Sequence, residues 1–542
     1  MLELEIDGVK IEMPEGSMVM DAVKKMGKYV PHFCYHEKLS VAASCRMCLV
    51  EVEKAPKPLP ACATPITPNM VVRTQVVSEK AKTAQADVME FLLLNHPLDC
   101  PICDQGGECQ LQDLSMGYGK GQSRYGEPKH VVAPKDPGPL ISMKEMNRCI
   151  HCTRCVRFGQ EVAGIMELGM GGRGEHSEIM SFVGKSVDSE LSGNMIDVCP
   201  VGALTSKPFR YSARTWELQR RRTVSPHDGL NANLQVQIKG DRVMRVLPHE
   251  NEAVNECWIS DRDRFSYEGL YAQDRLTSPL VRTDDHWHTV PWQDALTAAR
   301  EAVASSVKVH GADKVAILLG AHTTLEEATL AKKLSIQLGG TIIDHRLRVT
   351  DAALDQGGGL PWLGLKAADF ASVDRFLVIG SNLRQEQPLL AQRIRQRVKK
   401  GAALCVVGST DEALFCPVAA SALVKPSMIW ETLAGVAGAL AKKLEKQSPL
   451  SASEFTAEQT QIAASLASGK RVAVLLGDLA LSNVDATHIE SAANLIASLC
   501  EGTYGRLSLS SSALSCYIAG ATPIDNATTA HQALNGADRK ST

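Results

Sequence analysis

Eleven of the sixteen cysteines in this 542-residue chain lie between Cys34 and Cys199, in close groups. That clustering constrains the fold more than any other feature, because each group must bring side chains from separate turns to one place. The chain opens on LELEIDGVKIEM, which reads as strand, turn and strand and not as a secretory or transit leader. A reducing cytosol is therefore expected, and there grouped cysteines serve metal or redox chemistry more readily than disulfides. The other five, Cys257, Cys405, Cys416, Cys500 and Cys516, are scattered and read as small buried hydrophobes.

The first group is Cys34, Cys45, Cys48 and Cys62, spaced C-x10-C-x2-C-x13-C. It follows a hairpin with an Asp-Gly turn, IDGVKI, and an expected helix over 17–27. Four thiolates suit a [2Fe–2S] cluster, or a four-cysteine zinc site. The second is His96, Cys100, Cys103 and Cys109, in HPLDCPICDQGGECQLQ. Gly106 and Gly107 let the backbone fold back so that His96 and the three thiols can share a metal. Three cysteines and one histidine fit zinc as well as a [4Fe–4S] cluster.

The third group opens with RCIHCTRCVRF, where Cys149, Cys152 and Cys155 stand three apart. This is an iron–sulfur spacing, since zinc sites use two separated pairs. In two-cluster ferredoxins the last Cys of each run precedes Pro and ligates the other cluster. The downstream Cys of that kind is Cys199, in NMIDVCPVGAL. Counting back from Cys199 at C-x2-C-x2-C-x3-C spacing gives Ser189, Ser192 and Met195, and the first run's own last slot is Gly159. The frame is thus laid out for two clusters, one of which has lost all four ligands, while Cys149, Cys152, Cys155 and Cys199 hold the other. Arg148, Arg154 and Arg157 flank the run; they could offset thiolate charge, but the plainer reading is a solvated face.

Beyond about residue 220 the pattern changes to repeated strand, Gly turn and helix. KVAILLG (314–320), RFLVIGS (375–381), ALCVVG (403–408) and RVAVLLGD (471–478) read as buried strands of a mainly parallel, doubly wound sheet. Helices are expected after 320, over 387–400, ending near Cys500, and starting near Trp292. No GxGxxG or Walker A motif follows any strand, so bound nucleotide is not supported. The 58 basic and 61 acidic residues leave a net charge of −3, which gives no hint of nucleic-acid binding, and no apolar run is long enough to cross a bilayer.

The three groups, in this order, resemble the large peripheral iron–sulfur subunit of proton-translocating NADH:quinone oxidoreductase, respiratory complex I. The resemblance runs on through CPVGALTSKPFRYSARTWEL (199–218) and RVLPHENEAVNECWISDRDRFSYEGL (245–270). It implies a multidomain α+β and α/β chain. Residues 1–80 would form a β-grasp [2Fe–2S] ferredoxin-like domain and 81–120 a one-His/three-Cys [4Fe–4S] domain. A [4Fe–4S] ferredoxin-like domain at 121–218 and a degenerate cluster-type entry segment at 219–275 would follow. Residues 276–542 would form a molybdopterin-oxidoreductase-like α/β domain.

The resemblance implies one [2Fe–2S] and two [4Fe–4S] clusters, with no residue acting as a general acid or nucleophile. Partners would be a flavoprotein NADH-binding subunit and other peripheral-arm subunits, on the cytoplasmic side of a bacterial inner membrane, without direct membrane insertion. Two departures stand out. Family members with an extra [4Fe–4S] cluster hold it at C-x2-C-x3-C-x27-C; the corresponding positions here are Ser225, Asp228, Ala232 and Ser260, so no fourth cluster is expected. The chain also stops at NGADRKST, earlier than the resemblance implies, so the last domain reads as short of its final part. No molybdenum is expected, because no residue stands out as its ligand.

Rival readings are an iron-only or NAD-reducing hydrogenase, a molybdenum formate dehydrogenase, and a zinc protein. Metal and sulfide analysis separates them: about ten iron per anaerobically purified chain is expected, from one two-iron and two four-iron clusters. A colourless preparation with three zinc would contradict the iron–sulfur assignment.

Overall fold

The computed structural model describes residues 1–182, 185–320, 322–355, 360–450, 454–523 and 528–536. Residues 537–542, on which the expectation of an early stop rests, lie outside the described residues. The chain divides into two compact units, one made of residues 1–221 with 236–245, the other of 222–235 with 246–542.

The first unit opens with a hairpin, Leu2–Ile6 against Val9–Met13, closed by Asp7 and Gly8 at φ 52° and 82°. Both turn residues are left-handed, as a twist-matched two-residue hairpin requires. Leu2–Ile6 pairs in parallel with Met70–Arg73, which pairs antiparallel with Leu49–Val52, and that strand with Leu59–Pro60. The helix Val19–Lys25 buries Val19, Met20, Ala22 and Val23 against Leu4, Ile6, Val50 and Val72. Cys48 and Cys62 belong to this same core, so the hydrophobic effect that closes the sheet also delivers two thiols to one place.

Two helices follow, Glu79–Leu93 and Gln110–Tyr118. Ser78 caps the first by accepting from the Ala81 N–H at 3.1 Å. The third cysteine group sits among short elements: the helices Arg154–Phe158 and Asn194–Val198, and the strand pairs Ile141–Ser142 with Thr205–Ser206 and Leu168–Gly171 with Glu178–Ser181.

In the second unit five strands form one all-parallel sheet, in the order Ala420–Leu423, Ala403–Gly408, Arg375–Ile379, Val472–Leu476, Thr503–Arg506. Every residue of Val472–Leu476 is buried, as a parallel strand covered on both faces should be. Helices Ile429–Lys443, Ala457–Ala467 and Ala486–Leu499 supply Val436, Leu440, Ile462, Ile489 and Ile496 to that core. The strand expected over 314–320 is confined to Ala316–Leu318. Among the described residues it pairs only with Ile342–Asp344, forming a second small parallel sheet where a single sheet was expected. Among the described residues no helix is long and apolar enough to cross a membrane.

Asp7 locks the first sheet. Its carboxylate accepts from Lys28 Nζ (2.8 Å), the Thr74 N–H (2.7 Å) and Thr74 Oγ1 (2.9 Å). Burial pushes its pKa up, but these hydrogen bonds outweigh that and hold it below the ordinary 3.8. The ionised form is then the stabilising one: its contribution is complete above the ordinary pKa and is lost as pH falls through the folded value. Asp7→Asn keeps the left-handed turn and removes the charge. It should cost about 1–3 kcal/mol in denaturant unfolding at neutral pH, a difference that vanishes as pH is lowered through the carboxylate range.

Candidate metal centres

In the first group all four cysteines are buried. Cys34 lies within hydrogen-bond reach of both Cys45 and Cys62, and Cys62 of Cys48. The shared protons pull Cys34 and Cys48 below the ordinary thiol value and push Cys45 and Cys62 above it. The Cys34 N–H also donates to Cys45 Sγ at 3.3 Å. Around Cys45 the loop turns tightly through Ala43 and Arg46, both left-handed at φ 51° and 59°. Such values are uncommon outside glycine and mark a loop shaped by what it surrounds.

In the second group Cys103 is buried, Cys109 half-buried and Cys100 exposed. His96, Cys100 and Cys109 face one cavity of about 480 Å³, closed by Leu93, Leu111 and Met116. Gly107 takes φ +92°, and a Cβ on Gly106 would sit 2.8 Å from the Cys100 carbonyl oxygen, so both glycines are needed for the return of the chain. Arg214 clamps that return by donating to the carbonyls of Cys103 (2.9 Å) and Cys100 (3.0 Å). Lys129 Nζ donates to the carbonyls of Leu94 (2.8 Å) and His96 (2.9 Å) and fixes the His96 backbone. Burial, with the charges of Arg148 and Lys129, lowers the His96 pKa to about 4, so the ring is neutral at physiological pH, as a metal-binding imidazole must be. His96 Nδ1 is buried with no hydrogen-bond partner, an orphan that a metal would satisfy. A Cβ on Gly202 would sit 2.2 Å from Cys103 Sγ, so the thiol occupies the room that a side chain there would take.

In the third group Cys152, Cys155 and Cys199 are buried and Cys149 half-buried. Burial pushes Cys149 up to about 12 and Cys152 to about 11, and the neighbouring thiols add to the rise at Cys155. Cys199 is raised by burial too, opposed by the N–H groups of Val201, Leu204 and Ala203. His151 and Thr153 are left-handed, at φ 53° and 57°, and alternate with the cysteines. The His151 N–H donates to Cys149 Sγ at 3.4 Å.

The three arginines are not a solvated face. Arg148, Arg154 and Arg157 are 2%, 7% and 7% exposed. Arg148 donates to Asp99 Oδ2 (2.9 Å), beside Cys100, and to the Gly202 carbonyl (3.3 Å). Hydrogen bonds to distant backbone carbonyls, joined for Arg148 by the Asp99 carboxylate, accompany this burial, and nothing in the local sequence announces them.

The slot without cysteines is filled by protein. Ser189, Ser192 and Met195 are buried on consecutive turns, and a Cβ on Gly159 would lie 3.6 Å from Met195 Cε. In the second unit Ser225, Asp228, Ala232 and Ser260 also come together. Ser225 Oγ and Ser260 Oγ donate to the two oxygens of Asp263 (2.5 and 2.8 Å), and the Ser225 N–H donates to the Ala232 carbonyl (2.8 Å). Burial, with Asp263 nearby, raises Asp228 to about 6. Asp263 was missed from the sequence; a charged residue in an exposed-looking helix start, SDRDRF, carries no signal of burial.

Among the described residues no three His, Cys, Asp or Glu side chains close on a single ion. Cluster ligands are shared out over two or four irons and need no common point. A cavity of about 350 Å³ lies at the carboxyl ends of the second unit's strands, lined by His345, Arg346, Arg348, Arg506 and Tyr517. Its arginines pair with Asp344, Asp478 and Glu490, which leaves little positive charge for an anion. Of the scattered cysteines, Cys405 and Cys516 are buried, whereas Cys257, Cys416 and Cys500 are only half-buried.

Family models match nearly the whole chain in sequence order. Residues 1–76 match a 2Fe-2S iron-sulfur cluster binding domain, and 85–124 an NADH-ubiquinone oxidoreductase-G iron-sulfur binding region. Residues 138–205 match the ferredoxin-like domain of NADH-quinone oxidoreductase subunit 3, and 218–268 an NDSU1/NuoG-like 4Fe-4S domain. Residues 275–534 match molybdopterin oxidoreductase. The NADH-quinone oxidoreductase G chain of Rickettsia felis is 46% identical over 403 residues, covering 74% of this chain and 58% of the relative. The mitochondrial NADH-ubiquinone oxidoreductase 78 kDa subunit of Neurospora crassa is 45% identical over 420 residues, covering 76% of this chain and 56% of the relative. The chain therefore spans less than three-fifths of the length of these relatives. A chain from the crystal structure of an NAD+-reducing [NiFe]-hydrogenase in the H2-reduced state is 28% identical, covering 39% of this chain and 90% of that one. Its TM-score of 0.36 is too low to bear on the fold.

Two substitutions test the second group. His96→Ala should weaken or abolish one four-iron EPR signal, whereas His96→Cys should retain it at a lower potential, because a thiolate adds negative charge. Gly202→Ala should disturb the same signal through Cys103 and leave the two-iron signal intact. An unchanged spectrum in His96→Ala would remove His96 from the ligand set.

Proposed function

Because the chain belongs to the family of large iron–sulfur subunits of NADH-quinone oxidoreductase, we propose that it is an electron relay of such a complex. It would take single electrons from a flavoprotein subunit that oxidises NADH and pass them toward quinone-reducing subunits. The observation that carries this reading is the grouping of twelve candidate donors into three sets of four within one compact unit. The three sets fall, in chain order, in three of the four regions matched by iron–sulfur models; the fourth, 218–268, carries Ser225, Asp228, Ala232 and Ser260 in place of a cysteine set.

Cys34, Cys45, Cys48 and Cys62 would hold a [2Fe–2S] cluster; His96, Cys100, Cys103 and Cys109 a first [4Fe–4S] cluster; Cys149, Cys152, Cys155 and Cys199 a second. When bound, these supply one-electron carriers. The protein's own part is to place, insulate and tune. The apolar core behind Cys48 and Cys62 excludes water, and N–H groups aimed at Cys45, Cys149 and Cys199 favour the charged sulfur. A neutral His96 carries one less negative charge than a thiolate in its place, which raises the potential of its site. The domain boundaries read from the sequence (1–80, 81–120, 121–218, 219–275 and 276–542) are part of the proposal. So are the absence of molybdenum and of a fourth cluster, the other peripheral-arm subunits as neighbours, and a place on the cytoplasmic side of a bacterial inner membrane. The 276–542 domain serves as scaffold.

The test is reduction in the absence of oxygen. A strong chemical reductant should bleach the purified chain's visible absorption, while NADH alone should not. NADH with the flavoprotein subunit should bleach it on the timescale of turnover. Rapid bleaching by NADH without a flavoprotein would contradict the relay assignment.

A further inference from the structure

Two buried guanidiniums, one turn apart on the helix Arg154–Phe158, join the loop of the first cysteine group to the loops of the third. Arg157 Nη2 donates to the carbonyl of Cys34 at 2.5 Å and to the carbonyl of Cys152 at 3.1 Å. Its other ends are held by Thr153 Oγ1 at 3.3 Å and by the Ser40 carbonyl. Arg154 repeats the pattern beside it. Its Nη2 donates to the carbonyl of Tyr35 (2.6 Å), the residue after Cys34, and its Nη1 to the carbonyl of Val198 (3.5 Å), the residue before Cys199.

We propose that Arg157 is a positioning residue for electron exchange between the first and third ligand groups: one guanidinium fixes the Cys34 loop to the Cys152 loop and keeps a positive charge between them. The inference rests on the relay reading. The plainer account is that a buried arginine merely satisfies loop carbonyls. Two features go beyond it. Cys34 and Cys152 are themselves candidate ligands, and the two bonds diverge from a single nitrogen to residues 123 and 5 positions away in sequence. The second feature is charge. Among the described residues neither Arg154 nor Arg157 pairs with a carboxylate; their partners are carbonyls, the Thr153 hydroxyl and the Gln110 amide oxygen. The positive charge is therefore not cancelled locally, and it acts on the thiolates in a dry interior where screening is weak.

Both consequences have a direction. Electron exchange transfers one electron with no bond made or broken, so its rate depends on separation and on the two potentials. Separation is set by the clamp. Each reduced site carries one more negative charge than the oxidised site, so a fixed cation between them favours reduction of both and raises both potentials. Lysine would keep the charge but not the geometry, since an ammonium is a point donor and not a planar fork.

The experiment is a redox titration of the full chain, followed by EPR, with Arg157→Gln and Arg157→Lys beside the parent. The spin–spin broadening between the two-iron and four-iron signals is read at full reduction. Arg157→Gln should move the midpoints of the two-iron signal and of the all-cysteine four-iron signal downward together. The His96-dependent signal should move less. Arg157→Lys should leave the midpoints near the parent's and change the broadening. Midpoints and broadening unchanged in both variants would overturn the proposal. If Arg157→Gln assembles no clusters, Arg157→Lys decides alone, and unchanged broadening overturns it. A parent chain without iron–sulfur signals would instead overturn the relay reading, so the two failures are distinguishable.

Discussion

The first unit depends on holding sulfur donors, which must be thiolates to bind metal, most of them in places where water does not screen them. Burial alone works against this: it pushes Cys149 to about 12 and Cys152 to about 11, so the free thiols keep their protons. Binding iron there, as proposed, would displace those protons, and the free energy of binding would then also be free energy of folding. The protein opposes the burial term with dipoles and cations. Backbone N–H groups point at Cys45, Cys149 and Cys199, and Arg154 and Arg157 stand beside Cys152. The left-handed residues Ala43, Arg46, His151 and Thr153 are the backbone cost of turning the loops around the donors.

The same constraint explains what fills the places where donors are missing. A slot laid out for a cluster and lacking its cysteines must be packed or hydrogen-bonded, since an empty polar cavity is costly. At Gly159, Ser189, Ser192 and Met195 the Met195 side chain packs against Gly159 and the Ser189 N–H donates to the buried Glu167 carboxylate at 2.9 Å. At Ser225, Asp228, Ala232 and Ser260 it is a buried network centred on Asp263. The two slots lie in different units, and in both a buried carboxylate, Glu167 or Asp263, takes hydrogen bonds from slot residues.

Local signals were legible in the sequence, and long-range ones were not. The Asp7–Gly8 turn, the helix Val19–Lys25, the strand Ala403–Gly408 and the helix Pro388–Lys399 all stand where periodicity and turn residues put them. Cysteine spacing identified three groups, and in each the thiols are close enough to act on one another. The burial of Arg148, Arg154 and Arg157 was not legible, because it is decided by carbonyls as far as 123 residues away, and an arginine reads as surface until its partner is known. The latch of Lys129 onto His96 and the role of Asp263 escaped for the same reason. The split of the second unit's parallel strands into two sheets escaped because strand pairing is a tertiary fact that hydrophobic runs do not encode.

The proposed relay has one unit of this chain organise three separate four-donor sites of two kinds, and every functional step proposed for it rests on that. Mössbauer spectroscopy of the iron-57-labelled chain, oxidised and then fully reduced, tests it most directly. Iron should be found in two-iron and four-iron clusters in a ratio of about one to four, from one [2Fe–2S] and two [4Fe–4S] clusters, with the four-iron component lost by half in His96→Ala. A spectrum of mononuclear iron, or of a single cluster type that His96→Ala leaves untouched, would contradict it.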